Sequence, residues 1–230
     1  MKVIGLIGGM SWESTVEYYR LINESVKERL GGLHSAKCIL YSVDFAEVEE
    51  LQRRGQWSEA AHLLADAAQK VERAGADMLL ICTNTMHKVA DTIQAGLGIL
   101  LLHIADATAE KVSEAGIRRV GLLGTRFTME GDFYRSRLSG RFGLEVIIPD
   151  PKDRETVHRV IYGELCVGLI RPESKMQMAG IMSRLVEMGA EGIILGCTEL
   201  GLLIGPEDCH VPLFDTTRLH ALAAVERALK

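Results

Sequence analysis

Ile193-Ile194-Leu195-Gly196-Cys197-Thr198-Glu199-Leu200 is the stretch whose reading decides the fold, together with its echo Leu79-Leu80-Ile81-Cys82-Thr83-Asn84-Thr85. Each is a short apolar run that stops abruptly in small polar residues. A buried parallel strand looks like this where it ends at the carboxyl edge of its sheet. Residues able to open a helix follow both, so each polar tip is expected at a helix N-terminus, where backbone N–H groups and the positive end of the dipole converge. A thiol placed there is expected to have its thiolate form favoured. The two tips are expected to face each other and to hold a small anion.

Working outward, strands and helices alternate along the chain. A strand at Lys2–Ile7 leads through Gly8-Gly9-Met10-Ser11 into a helix from Trp12 to Leu30, with Ser11 as N-cap and Gly31-Gly32 as the stop. Further strands are expected at 37–43, 77–82 and 99–103, with helices at 47–54, 58–74, 86–95 and 105–115. Then the pattern restarts: Val120-Gly121-Leu122-Leu123-Gly124-Thr125 repeats the form of Ile4-Gly5-Leu6-Ile7-Gly8-Gly9. Strands at 143–149, 192–197 and 211–215 follow, with helices at 156–163, 175–188 and 217–229. Corresponding strands lie about 115 residues apart, a period that suits a duplicated domain rather than a solenoid. The expected fold is α/β: two pseudo-symmetric doubly wound domains with parallel sheets, residues 1–98 plus 209–230 and residues 99–208. Ligands bind outside the carboxyl ends of such strands, so the active site is expected in the cleft between the domains.

Composition narrows the function. The 230 residues are 47% hydrophobic and 25% charged, with a net charge of −5. These are the proportions of an ordinary soluble protein, and an acidic balance gives no basis for binding nucleic acid or a bilayer surface. No apolar run reaches membrane-spanning length, and the N-terminus reads as a strand, not a signal peptide. Five cysteines without a CxxC pair argue against a disulfide framework and for a reducing, cytoplasmic setting. Zinc through Cys82, His87, Cys209 and His210 lacks a recognised ligand spacing, so no metal is expected.

Of the candidate groups, Gly5-Leu6-Ile7-Gly8-Gly9 has the spacing G-x-x-G-G, not the dinucleotide fingerprint G-x-G-x-x-G. It reads either as a tight strand-to-helix turn or as a backbone cradle for a carboxylate. Cys38, Cys166 and Cys209 read as small apolar residues. Cys82 precedes the polar tip by one residue, so strand alternation points it away from the side that Thr83 faces. Cys197, flanked by Gly196 and Thr198, sits at the tip itself. Asn84, Thr85, Thr125 and Thr198 each follow a strand, as helix caps or as donors to an anion. His34, His158 and His220 are expected on helix or loop surfaces, without a role.

These motifs resemble the cofactor-independent aspartate/glutamate racemase superfamily over the whole chain, in its aspartate-racemase branch. The resemblance rests on Gly5–Thr15, on Leu51-Gln52-Arg53-Arg54-Gly55, on Asn84-Thr85-Met86-His87 and on Gly196-Cys197-Thr198-Glu199. The resemblance implies two acid–base groups, one per domain, on opposite faces of the substrate Cα, with no pyridoxal phosphate or other cofactor. Cys197 matches the second-domain cysteine. The first-domain position falls on Thr83, with the cysteine displaced to Cys82. Met10, Gln52, Asn84, Thr85, Thr125, Thr198 and Glu199 map onto substrate contacts. The implied activity is racemisation of L-aspartate or L-glutamate. A single-cysteine decarboxylase of a substituted malonate and an amino-acid-binding module with a vestigial site are the alternatives. A homodimer with a small-molecule substrate is implied, and no nucleic-acid or membrane partner.

Overall fold

The structure, a computed structural model, describes residues 1–230. The chain divides into two units, Met1–Ile104 with His220–Lys230, and Ala105–Leu219.

The first unit runs β1 (Ile4–Gly8), α1 (Trp12–Leu30), β2 (Cys38–Ser42), α2 (Phe45–Arg53), α3 (Trp57–Arg73), β3 (Met78–Ile81), a 3-10 turn (Thr85–Val89), α4 (Ala90–Gln94) and β4 (Leu100–Leu102). All pairings are parallel, in the order β2-β1-β3-β4. The alternation of a strand decides the two layers. Ile4, Leu6, Leu80 and Cys82 join one buried cluster with Tyr18, Ile22 and Val26 of α1, while Ile7, Leu79 and Ile81 join another with Leu64, Ala68 and Val71 of α3. The apolar residues of α1 recur at three- and four-residue steps, which gives it a single buried stripe. Gly5 lets α3 approach: a Cβ there would lie 2.4 Å from Val71 Cγ1 and 2.9 Å from the Met78 carbonyl oxygen. Gly5→Ala would therefore overpack the layer, at a cost of about 1–3 kcal/mol.

The second unit contains α5 (Ile104–Glu114), β5 (Arg119–Gly124), α6 (Arg126–Glu130), α7 (Asp132–Phe142), β6 (Glu145–Ile147), α8 (Pro151–Gly163), a 3-10 turn (Leu165–Val167), α9 (Pro172–Glu187), β7 (Gly192–Gly196), α10 (Leu200–Leu203), a 3-10 turn (Pro206–Asp208) and β8 (Leu213–Asp215). The closing helix α11 (Thr216–Leu229) starts here and from His220 belongs to the first unit. Its sheet repeats the first, parallel in the order β6-β5-β7-β8. Ile193, Leu195 and Cys197 alternate onto one face and pack with Val157, Ile161 and Leu185 of α8 and α9. In both sheets the strand order reverses between the first and third strands, and the carboxyl ends of β1/β3 and β5/β7 are the places where such sheets hold ligands.

Three expectations about the fold need correction. The units part near residues 104 and 219, not at 98 and 208, because β4 pairs with β3 and β8 pairs with β7. Each fourth strand thus stays with its own sheet. The helices α6 and α7 occupy 126–142, where none was expected; α7 buries only Tyr134 and Leu138, too few apolar positions to show a period. The helix expected over 86–95 is a 3-10 turn followed by the five residues of α4. No helix is long and apolar enough to cross a membrane.

Candidate active site

The first tip is built on β1 and β3. The Cys82 N–H extends the pairing of these strands by donating to the Ile7 carbonyl at 2.9 Å, and Cys82 then turns into the cluster under α1. Burial pushes its thiol far up, since a thiolate there would have no water around it. Thr83, the next residue, is 8% exposed. Asn84, Thr85 and Met86 are also buried at this tip, and Gln52 reaches in from α2 to donate from Nε2 to Met86 Sδ at 3.0 Å. Arg53 and Arg54, its neighbours, pair with Glu50 on the outside of α2. Met10 is 2% exposed and lies in the same core cluster as Met86.

The glycine turn before α1 has the geometry of a tight strand-to-helix connection. Gly9 has φ +92°, and a Cβ there would come within 2.2 Å of the Val43 carbonyl oxygen. Its N–H donates to Thr15 Oγ1 at 2.9 Å, so the loop amide is spent on its own helix. Ser11 caps α1, its Oγ accepting from the Ser14 N–H at 3.4 Å. The stretch is a strand-to-helix turn.

The second tip is built on β5 and β7. Gly124 and Gly196 lie opposite each other in the ladder, and neither has room for a side chain: a Cβ on Gly196 would meet Leu122 Cδ1 at 2.7 Å. Thr125 and Cys197 follow directly. Thr125 caps α6, accepting from the Thr128 N–H at 3.2 Å. Cys197 Sγ donates to Glu199 Oε2 at 2.9 Å, and Thr198 Oγ1 donates to the same oxygen at 2.9 Å. Glu199 is 2% exposed, so this carboxylate is satisfied from within the tip.

That arrangement overturns the expected thiolate. The Cys197 thiol is pushed well above its ordinary range, first by burial and then by the charge of Glu199. The helix thought to stabilise a thiolate is α10, only 4 residues long and starting three positions later. One turn carries little dipole, and a carboxylate in hydrogen-bond contact outweighs it. Burial and the Glu199 carboxylate thus both favour the thiol form of Cys197 over its thiolate.

Beneath the first tip lie three histidines, of which the sequence singles out only His87, in a family motif and in a zinc set without ligand spacing. His220, expected on a surface, is fully buried: Nε2 donates to the Leu102 carbonyl and Nδ1 accepts from Tyr18 Oη, both at 2.9 Å. Burial, helped by His87, lowers its pKa to about 3, so it is neutral. His87 Nδ1 lies 2.8 Å from the Thr83 carbonyl oxygen, and its Nε2 accepts from the Ile104 N–H at 3.2 Å. A carbonyl only accepts, so Nδ1 carries the proton. His103 packs its ring 4.5 Å from that of His87. The available signal was the position of His87, four residues past Thr83, within one helical turn of its carbonyl.

Comparison with known proteins gives the family. The family model for Asp/Glu/hydantoin racemases matches residues 7–224. A candidate Asp/Glu racemase from Yersinia pestis shares 57% identity over 100% of both chains, with a TM-score of 0.93. An aspartate racemase homologue from Pyrococcus horikoshii OT3 shares 37% over 100% of both, with a TM-score of 0.86. The broad-specificity amino-acid racemase RacX of Bacillus subtilis (strain 168) is 24% identical over 99% of this chain and 98% of its own. With the family match spanning nearly the whole chain, this protein belongs to the Asp/Glu/hydantoin racemase family.

Proposed function

We propose that the protein racemises L-aspartate or L-glutamate by proton transfer at Cα without a cofactor, Cys197 serving one face and Thr83, or a water it holds, the other. The observation that carries this reading is the bond from Cys197 Sγ to Glu199 Oε2, which fixes the thiol at the carboxyl end of β7, where the substrate Cα is proposed to lie. Removing a Cα proton beside a carboxylate builds up enediolate charge. A thiolate is a base strong enough to begin that step, and the donors at the tips, Thr125, Thr198, Asn84 and Thr85, are the groups to offset the charge. Gln52 and Met10 shape the first tip. Thr83 has a hydroxyl far less acidic than a thiol: able to return a proton to a strong carbanion, poor at removing one.

Incubation with L-aspartate or L-glutamate in heavy water, followed by chiral chromatography and mass spectrometry, tests it. Racemisation yields the D-enantiomer with deuterium at Cα. Loss of carbon dioxide mass would instead make the protein a decarboxylase, and unchanged substrate a binding module. The homodimer that the family resemblance implies is read by sedimentation at equilibrium.

A further inference from the structure

Thr83 and Cys197 occupy corresponding places, yet their backbones are held by different means. The Cys197 carbonyl accepts from the Leu200 N–H at 3.1 Å, a turn that the chain closes on itself. The Thr83 carbonyl accepts from a side chain, His87 Nδ1–H, at 2.8 Å. Thr83 N–H is also held, donating to the Ile81 carbonyl at 2.8 Å. With both backbone groups pinned, the β-branched side chain retains only a stiff χ1, so the position of the hydroxyl follows the position of the carbonyl.

The His87 ring is itself fixed from a neighbouring strand end. Its Nε2 accepts from the Ile104 N–H, just past β4, and the His103 ring packs against it. The order of dependence runs from the end of β4, through the imidazole, to the Thr83 tip. We propose that His87 is a positioning residue for Thr83: its Nδ1–H holds the Thr83 carbonyl and so aims the hydroxyl at the Cα it reprotonates. A weak acid tolerates misplacement poorly, because its contribution depends on near-contact geometry with the carbanion. The inference rests on the racemase reading above.

Two substitutions separate this role from a structural one. Asparagine places an amide N–H where Nδ1 stands and keeps the donor to Thr83. Glutamine reaches toward Ile104 and leaves the Thr83 carbonyl without its donor. In heavy water, L-substrate gives two readouts: deuterium in recovered L-enantiomer, which Cys197 alone can produce, and deuterated D-enantiomer, which needs Thr83. His87→Gln is expected to lower inversion about a hundredfold while exchange in the L-enantiomer stays within about threefold of the wild type. His87→Asn is expected to keep inversion within about tenfold. The same ratio of inversion to exchange in the wild type and His87→Gln would overturn the assignment. So would equal failure of both variants, or a proportional fall of both readouts in His87→Gln, which is what mere loss of folding gives. A wild type that places no deuterium at Cα would instead overturn the racemase reading, and this inference with it.

Discussion

The two tips are the same piece of architecture carrying different chemistry. Both stand at the carboxyl end of a third strand, beside a first strand that ends in glycine, in sheets of identical order. In the second tip, Gly196 takes one face of the sheet and Cys197 the other, packed with α8 and α9. In the first, Cys82 takes the face under α1 and Thr83 the next position. The space behind the strand explains the first half of this exchange: a Cβ on Gly196 would meet Leu122 Cδ1 and the Leu123 carbonyl oxygen at 2.7 and 2.8 Å, whereas Cys82 fits among Ile4, Leu6 and Leu80. The second half, Cys197 against Thr83, decides the chemistry. A thiol can be both acid and base; a hydroxyl beside an imidazole-held carbonyl can mainly give a proton. The fold is symmetric and, on the proposed reading, the reaction is not.

The strongest way to break the comparison is to remove one sulfur at a time. Cys197→Ser is expected to lower Cα proton exchange by about a thousandfold or more, because a serine hydroxyl does not ionise near neutral pH. Cys82→Ser is expected to keep most activity, its side chain lying in the core, with some stability lost to the buried hydroxyl. Steady-state racemisation and deuterium wash-in for both variants decide this. If Cys82→Ser is the inactive one, the two positions of the first tip have been assigned the wrong way round.

Making the tips chemically alike sharpens the comparison. Thr83→Cys supplies a second thiol, and turnover starting from the D-enantiomer is expected to rise by about tenfold or more. The enantiomers have equal free energy in water, so kcat/KM must be equal from the two sides. A slow D-to-L kcat in the wild type must therefore come with a low KM for the D-enantiomer, and Thr83→Cys should raise both. Saturation kinetics from each enantiomer measure this. Equal saturating rates in the wild type would mean that Thr83 does not limit the reaction.

A third variant acts on the second tip alone. Glu199→Gln removes the charge that, after burial, raises the Cys197 thiol, so the pKa of that thiol is expected to fall. Alkylation by iodoacetamide reads the thiolate directly. Its pH profile should move to lower pH, and at neutral pH the reaction should run faster than in the wild type. An unmoved profile would mean that burial alone sets the titration.

Much of this architecture was legible in the sequence, and the reasons are local. Apolar runs such as Leu79–Ile81 and Ile193–Leu195, ended by small polar residues, mark strand ends without any knowledge of partners. Cys197 stood out for the same reason. The state of its thiol did not, because it depends on the length of α10 and on where the Glu199 carboxylate folds back, and neither is encoded in spacing. The imidazoles under Thr83 were hidden differently. His87, His103 and His220 are far apart in the chain, and only the parallel placement of β3, β4 and α11 gathers them. His220 looked like a surface residue because the partners that satisfy it, Tyr18 and the Leu102 carbonyl, come from distant elements.

The buried imidazole sets the last and smallest difference between the tips, a difference in acid tolerance. The pKa of His220 is lowered from 6.5 to about 3 by burial, with His87 adding to it. An unfolded chain binds a proton at this residue from about pH 6.5 downward, while the folded one declines it until about pH 3. Stability contributed by neutral His220 is thus fully present above pH 6.5, and it is lost progressively as the pH falls through this window. Full loss is of the order of a few kcal/mol. Both ring nitrogens are committed, so a protonated ring would place a second N–H against Tyr18 Oη and force that hydroxyl to turn. At the second tip the nearest imidazole is that of His158, only half-buried, which accepts from the Arg126 N–H and has its pKa lowered less, first by burial, so the acid response should be larger in the first tip. Hydrogen exchange between pH 7 and pH 4 is expected to show amides of Leu79–Val89 losing protection before those of Gly192–Leu203, with the intrinsic exchange rate corrected for pH. His220→Gln keeps a donor for the Leu102 carbonyl and has no titrating group. It should flatten the acid slope of the first tip even if it lowers stability at pH 7. Equal loss of protection in both tips, or an acid slope unchanged in His220→Gln, would assign the acid response to groups other than this histidine.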